Sequence, residues 1–171
     1  MHILMCNDDG ILADGLRHLA SYLSQYYRIT VVAPANEQSA KSHALTTEIP
    51  LKLDAYNGED ENPRLYALTG TPSDCMKFGL SYLLSDDMPD LVISGINHGF
   101  NLGSDVLYSG TVSAAMESCF YGIPGLALSV ERYSPERGDE MHPFIHELIE
   151  KIYVKGNFDG LLNVNFPLRG E

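Results

Sequence analysis

Short apolar runs alternate along this chain with stretches in which apolar residues recur every three or four positions. Residues 3–6 are continuously apolar and end abruptly at Asn7-Asp8-Asp9-Gly10, the pattern of a buried strand running into a polar turn. Leu16, Leu19, Ala20, Leu23 and Tyr27 then fall at helical spacing, with Asp14 placed to cap the helix. Residues 29–33 form a second apolar run, stopped by Pro34. This is a β-α-β unit, so its two strands are predicted to be parallel. Residues 34–48 are polar and small with no period, which inside a compact domain marks a functional or mobile segment.

After an acidic, turn-rich loop at 56–64, residues 65–68 read as a strand. Residues 73–84 read as a helix with Met76, Leu80, Leu83 and Leu84 on one face, Pro72 just before it, and Ser73 or Asp74 as its cap. A strand at 91–94 runs into a glycine-rich turn. A helix at 112–121 closes at Gly122 and Pro124. A strand at 126–130, a helix at 144–152 and a strand at 161–166 complete the pattern. Continuously apolar strands alternating with amphipathic helices predict an α/β sandwich around a mostly parallel sheet. Ligands of such folds bind at the carboxyl ends of the strands, so the polar turns after the first and fourth strands are expected on one edge.

Composition narrows the function. A length of 171 residues suits one domain, and 44% hydrophobic with 20% charged residues fits neither a disordered nor a membrane chain. Against 23 acidic residues stand 11 basic ones, a net charge of −12. That balance argues against duplex nucleic acid and anionic membrane as partners. Cys6, Cys75 and Cys119 form no CxxC pair, and the opening residues are too short a run for a signal-peptide core. A cytoplasmic protein is expected.

Three constellations carry chemistry. Asp8 and Asp9 repel each other, and a hard divalent cation such as Mg²⁺ or Mn²⁺ would relieve that; a solvated acidic turn is the competing reading. The segment 94–105 holds Asn97 and Asn101, whose carbonyls can meet a metal and whose amides can meet a phosphate; Gly and Asn are also ordinary loop residues. Ser109, Gly110 and Thr111 precede a helix, where hydroxyls and free N–H groups form an anion site or simply a cap. From Phe78 through Glu131 there is no Lys or Arg, so a phosphate held here must rely on metal, backbone N–H and hydroxyls. That is the logic of a metal-assisted hydrolase. Ser39 and Ser42 lie in the irregular segment, and His43 and His98 are candidate proton carriers that could equally be exposed loop residues. Cys6 reads as core, and Gly70-Thr71-Pro72 as a turn and cap rather than a Walker A loop.

Together these motifs resemble the SurE (survival protein E) family of metal-dependent nucleotidases. The matching segments are NDDG at 7–10, residues 34–39, GTPSDC at 70–75, PDLVISGINHGFNLGSD at 89–105 and YSGTVSAAMES at 108–118, in the family's order. The resemblance implies a Rossmann-like α/β three-layer sandwich that hydrolyses nucleoside 5′- and 3′-monophosphates and, in some members, short polyphosphate. It implies one divalent ion per subunit, Mg²⁺ or Mn²⁺, with ligands mapping onto Asp8, Asp9, Ser39 and Asn97. Asn7, Asn97, Asn101, Ser109, Gly110 and Thr111 then lie where the family holds substrate phosphate. By the same resemblance Asp8 and Asp9 would be the catalytic pair, with either Asp8 or a metal-bound water attacking phosphorus. Members form homodimers or homotetramers.

Two departures stand out. Ala40 replaces the glycine that often follows the serine of the family's QSG motif, and a positive φ there would strain alanine. The sequence also stops at Glu171, soon after LLNVNFP, whereas members run on for several tens of residues that supply an extended hairpin and a C-terminal helix exchanged between subunits. One SurE-like domain, residues 1–171 without that extension, is the expected organisation.

Two other classes compete. A phospho-accepting receiver module also places an acidic pair after its first strand, with Asp54 as acceptor and Ser94 as its hydroxyl residue, but residues 126–131 lack the lysine it requires. A non-catalytic nucleotide-binding protein would use the same ligands as the enzyme.

Overall fold

The computed structural model describes residues 1–39, 41–58 and 60–167. Strand β1 (His2–Cys6) is the centre of the sheet because it is buried over its whole length, flanked by β2 (Arg28–Pro34) and β5 (Leu91–His98). Both neighbours are parallel to it, with Ile3 opposite Ile29 on one side and Leu91 on the other. Beyond β2 lies β4 (Arg64–Leu68); beyond β5 lie β6 (Gly125–Val130) and β7 (Leu161–Phe166), all parallel. The order is β3-β4-β2-β1-β5-β6-β7, and only the edge strand β3 (Leu53–Ala55) is antiparallel. The chain reverses direction across the sheet between β1 and β5, the switch point at which open α/β sheets bind ligands.

Helices α1 (Asp14–Leu23) and α4 (Pro135–Ile149) pack together on one face, over a cluster that includes Ile3, Met5, Ile29, Leu126 and Ile145. Helices α2 (Pro72–Phe78) and α3 (Gly110–Cys119) pack together on the other, over Leu4, Val32, Met76 and Val92. Alternate residues of β1 thus feed opposite cores. Each fully buried aliphatic side chain contributes roughly 1.5–3 kcal/mol. The mostly parallel three-layer α/β fold is therefore as expected.

Local differences have physical causes. β5 continues through Gly95 to His98, four residues past its predicted end at 94, with a register shift against β6 between Ser94 and Asn97. Gly95 has φ +129, and a Cβ there would lie 2.3 Å from the Leu128 carbonyl, so only glycine lets the strand pass. Asp14 is not the cap of α1: Ala13 flanks the helix with no side-chain bond, and Asp14 sits in the first turn, where its charge favours the helix end. Neither Ser73 nor Asp74 is the N-cap of α2. Thr71 is, its hydroxyl accepting from the Asp74 N–H while Asp74 accepts from the Thr71 N–H. The helix then widens into a π-turn at Gly79–Leu83. α4 begins at Pro135 rather than 144 and carries Pro143 within it.

Candidate active site

The turn after β1 is built by Asn7. This fully buried side chain donates from Nδ2 to the Gly10 carbonyl (3.0 Å) and accepts the Gly10 N–H at Oδ1 (3.1 Å). Both ends of the amide are thus engaged by the turn, leaving one N–H for another partner. The closed turn projects Asp8 and Asp9 at the strand end. The Gln38 N–H donates to the Asp8 carbonyl (2.7 Å), which draws the segment after β2 against the same turn.

Asp8 is 5% exposed. Its Oδ1 accepts the Thr111 hydroxyl at 2.6 Å, and the start of α3 closes on it from above. A Cβ at Gly110 would lie 3.1 Å from both the Asp8 Cβ and Oδ2, so glycine at the first position of α3 is what lets helix and carboxylate approach. Burial pushes the Asp8 carboxyl up, opposed chiefly by the Thr111 hydroxyl. Asp9 is pushed up to about 6, first by burial and then by the Asp8 charge, against a restraining backbone hydrogen bond from His98. Glu37 adds a third negative charge that raises both. Among the described residues, no Lys or Arg forms an ion pair with either aspartate.

Ser109 caps α3, its Oγ accepting the Val112 N–H at 3.1 Å, and its hydroxyl hydrogen remains available. The first-turn N–H groups of α3 lack intrahelical acceptors, as at any helix start. Asn97, on the prolonged end of β5, donates one Nδ2 hydrogen to the Gly99 carbonyl (2.7 Å) and keeps its Oδ1. Asn101 is more tightly held. Its Nδ2 donates to Ser129 Oγ (2.8 Å), its N–H to Asn165 Oδ1 (2.9 Å), and its carbonyl accepts from Asn163 and Asn165. Ser39 is exposed and donates to Glu37 Oε1 at 2.7 Å. Ala40, the residue expected to strain this segment, lies outside the described residues.

The switch point therefore brings Asp8, Asp9, Asn97, Gly110 and Thr111 to one edge, with Ser39 carried beside them by the Gln38 bond. Among the described residues no three His, Cys, Asp or Glu side chains are placed together to hold a metal ion. Two carboxylates plus neutral amide and hydroxyl oxygens are what the site offers. That set fits Mg²⁺ or Mn²⁺, which take one or two carboxylates and leave positions for water and substrate phosphate.

Sequence reasoning passed over three contributors. Glu37 lies inside the family-like segment 34–39, but only the fold turns its charge toward the pair. Asn163 and Asn165 alternate along the last strand, and nothing in the sequence points them at Asn101. Neither candidate histidine side chain bonds Asp8 or Asp9 among the described residues; His43 instead meets the buried Glu117 at 2.5 Å. Cys6 is core, as expected. Asp54, the acceptor of the receiver reading, lies on edge strand β3, with β4 and β2 between it and β1, and pairs with Lys52.

The family model described as Survival protein SurE matches residues 3–171. A protein named 5′-nucleotidase SurE from Thermoanaerobacter sp. (strain X514) is 49% identical over 168 residues, covering 98% of this chain and 66% of that relative. One of the same name from Caldanaerobacter subterraneus is 48% identical, covering 96% and 65%. The chain thus spans about two thirds of the length of these relatives. The crystal structure of the SurE protein from Aquifex aeolicus superposes with a TM-score of 0.83 at 37% identity, covering 98% of this chain and 66% of that one. A family model matched over nearly the whole chain, with relatives at 48% and 49% identity and the same fold, shows that the chain belongs to the SurE family.

Proposed function

We propose that this chain is a metal-dependent phosphomonoesterase that converts nucleoside 5′- and 3′-monophosphates to nucleoside and phosphate, with short polyphosphate as a further substrate. The observation that carries the reading is the contact of the buried Asp8, with the partly buried Asp9 beside it, with the N-terminus of α3, where carboxylates and hydrogen-bond donors meet and, among the described residues, no Lys or Arg pairs with either aspartate. Asp8, Asp9, Ser39 and Asn97 would hold one Mg²⁺ or Mn²⁺ per subunit, which when bound polarises the phosphoryl group and activates water. The relatives named 5′-nucleotidase support the substrate class.

The chain's own groups divide the rest of the work. Thr111 holds Asp8 in one orientation through its 2.6 Å bond. The Ser109 hydroxyl and the Gly110 N–H would supply donors for phosphate oxygens, aided by the helix dipole, while the Thr111 N–H joins its hydroxyl in holding Asp8. Asn7 keeps the turn closed, and the free N–H groups of Asn97 and Asn101 extend the donor set. The reading extends to a cytoplasmic homodimer or homotetramer. Supporting it, no helix among the described residues is long and apolar enough to cross a membrane, and Leu102, Leu107 and Tyr108 beside the site are 52%, 72% and 65% exposed.

Phosphate release from AMP, GMP and their 3′ isomers, with Mg²⁺, with Mn²⁺ and with chelator, tests the proposal. Release should require metal and vanish in Asp8→Asn, whose circular dichroism should match the parent. Full activity in that variant would remove the assigned site; metal-dependent nucleotide binding without release by the parent would favour the binding-protein reading.

A further inference from the structure

We propose that the cleft at the carboxyl ends of β2 and β4 is the nucleobase subsite, taking a planar, neutral, hydrogen-bonding heterocycle while the phosphate sits on the donors at the start of α3, beside Asp8 and Asp9. The proposal rests on the hydrolase reading above and adds to it where the leaving nucleoside is recognised.

Position is the first argument. The cleft, about 250 Å³, adjoins the aspartate turn: its wall residue Gln38 donates its N–H to the Asp8 carbonyl (2.7 Å), and the Ile11 N–H donates to the carbonyl of Pro34, just before the lining residues Ala35 and Asn36. Its size is just below the roughly 300–1,000 Å³ of whole-ligand pockets, enough for a base rather than a whole nucleotide.

Chemistry is the second. None of the lining residues is Lys, Arg, Asp or Glu, so the cleft offers nothing to the charged end of a nucleotide. Ala35, Leu68 and the 65% exposed Ile49 give it apolar walls. The Asn36 and Gln38 amides show no protein partner among the described residues, and each offers both donor and acceptor, which is what the edge of a base needs. Thr69 accepts the Lys52 N–H at 2.7 Å and keeps its own hydrogen to donate.

Rigidity is the third. Thr46 donates its N–H and its hydroxyl to Asp74, and Thr71 donates its hydroxyl to the Ala44 carbonyl (2.7 Å). These bonds tie the far wall to the start of α2, so the cleft is formed before a ligand arrives. A site whose polar groups are left unpaired by the wrong partner discriminates by hydrogen bonding.

The test compares AMP with base-free ribose 5-phosphate in the same metal. The ratio of their kcat/KM should fall about tenfold in Asn36→Ala with Gln38→Ala, the loss expected for one to two hydrogen bonds. It should fall severalfold in Ile49→Ala. A ratio unchanged in both variants overturns the proposal. If the parent releases phosphate from neither compound, the hydrolase reading fails by itself, and the cleft is judged by calorimetric binding of adenosine and guanosine. Binding weakened about tenfold by Asn36→Ala with Gln38→Ala sustains it; binding that is absent or unaltered overturns it.

Discussion

Gly110 shows how much the site depends on a single missing atom. A Cβ at this position would press on the Asp8 side chain at 3.1 Å from two of its atoms, so one of the two must move. α3 is anchored by the Ser109 cap and packed under Val112, Ala114 and Ala115, all fully buried. Asp8 is the softer partner, held by the Thr111 hydroxyl and one turn. Gly110→Ala should therefore displace the carboxylate rather than the helix. Misplacing a reacting group by a fraction of an ångström to an ångström costs up to about a hundredfold in rate. The expected result is a kcat for AMP lower by between about tenfold and a hundredfold, with thermal unfolding close to that of the parent, since alanine is the better helix former. A variant with parental kcat would show that the approach of α3 to Asp8 is not part of the working site.

At the scale of elements, α2 has a role its seven residues would not suggest. Its capping box uses both oxygens of a nearly buried carboxylate: Asp74 receives the Thr71 N–H, the Thr46 N–H and the Thr46 hydroxyl. Thr71 in turn holds Ala44. One cap thus fastens the irregular segment between β2 and β3. Losing a threonine cap costs about 0.5–2 kcal/mol, and here the tether goes with it. Thr71→Ala should lower unfolding stability by about 2 kcal/mol in urea and raise amide exchange at residues 44–46 well beyond α2 itself. Confinement of the exchange to α2 would refute the tether.

The same elements show what pattern alone can reveal. The parallel strands were legible because β1, β2, β5 and β6 are buried on both faces and so read as continuous apolar runs. β3 was not, because three residues of an edge strand, Leu-Asp-Ala, carry no period. The first half of α4 was hidden by Pro143, which ends a helix in most contexts. Here it is exposed, where water can satisfy the carbonyl it leaves unbonded. The aspartate pair and the α3 start were legible as motifs, but their contact was not: Thr111 and Asp8 are 103 positions apart. Only the sheet order makes them neighbours.

At the scale of the whole molecule, the acidic surface and the buried histidines set opposing responses to pH. With a net charge of −12, acidification first relieves repulsion among surface carboxylates. His142 works against that. It is 4% exposed on α4, against Tyr22 of α1 and close to Gly138, and its Nε2 has no hydrogen-bond partner among the described residues. Burial lowers its pKa below 6.5; nearby Asp139 opposes the shift and His18 adds to it. The unfolded chain therefore binds a proton near pH 6.5 that the folded chain refuses. Unfolding then takes up protons, so this residue's share of stability is intact above pH 6.5 and declines as pH falls below it, until the folded-state pKa is reached. His142→Phe keeps the ring against Tyr22 and removes the titration. Urea unfolding between pH 7.5 and 5 should give the parent a steeper loss of stability than the variant, the two curves converging in slope above pH 7. Equal slopes throughout would place the acid sensitivity elsewhere, with His2 next to be tested: it is buried at the start of β1, and burial and Arg28 lower its pKa in the same way.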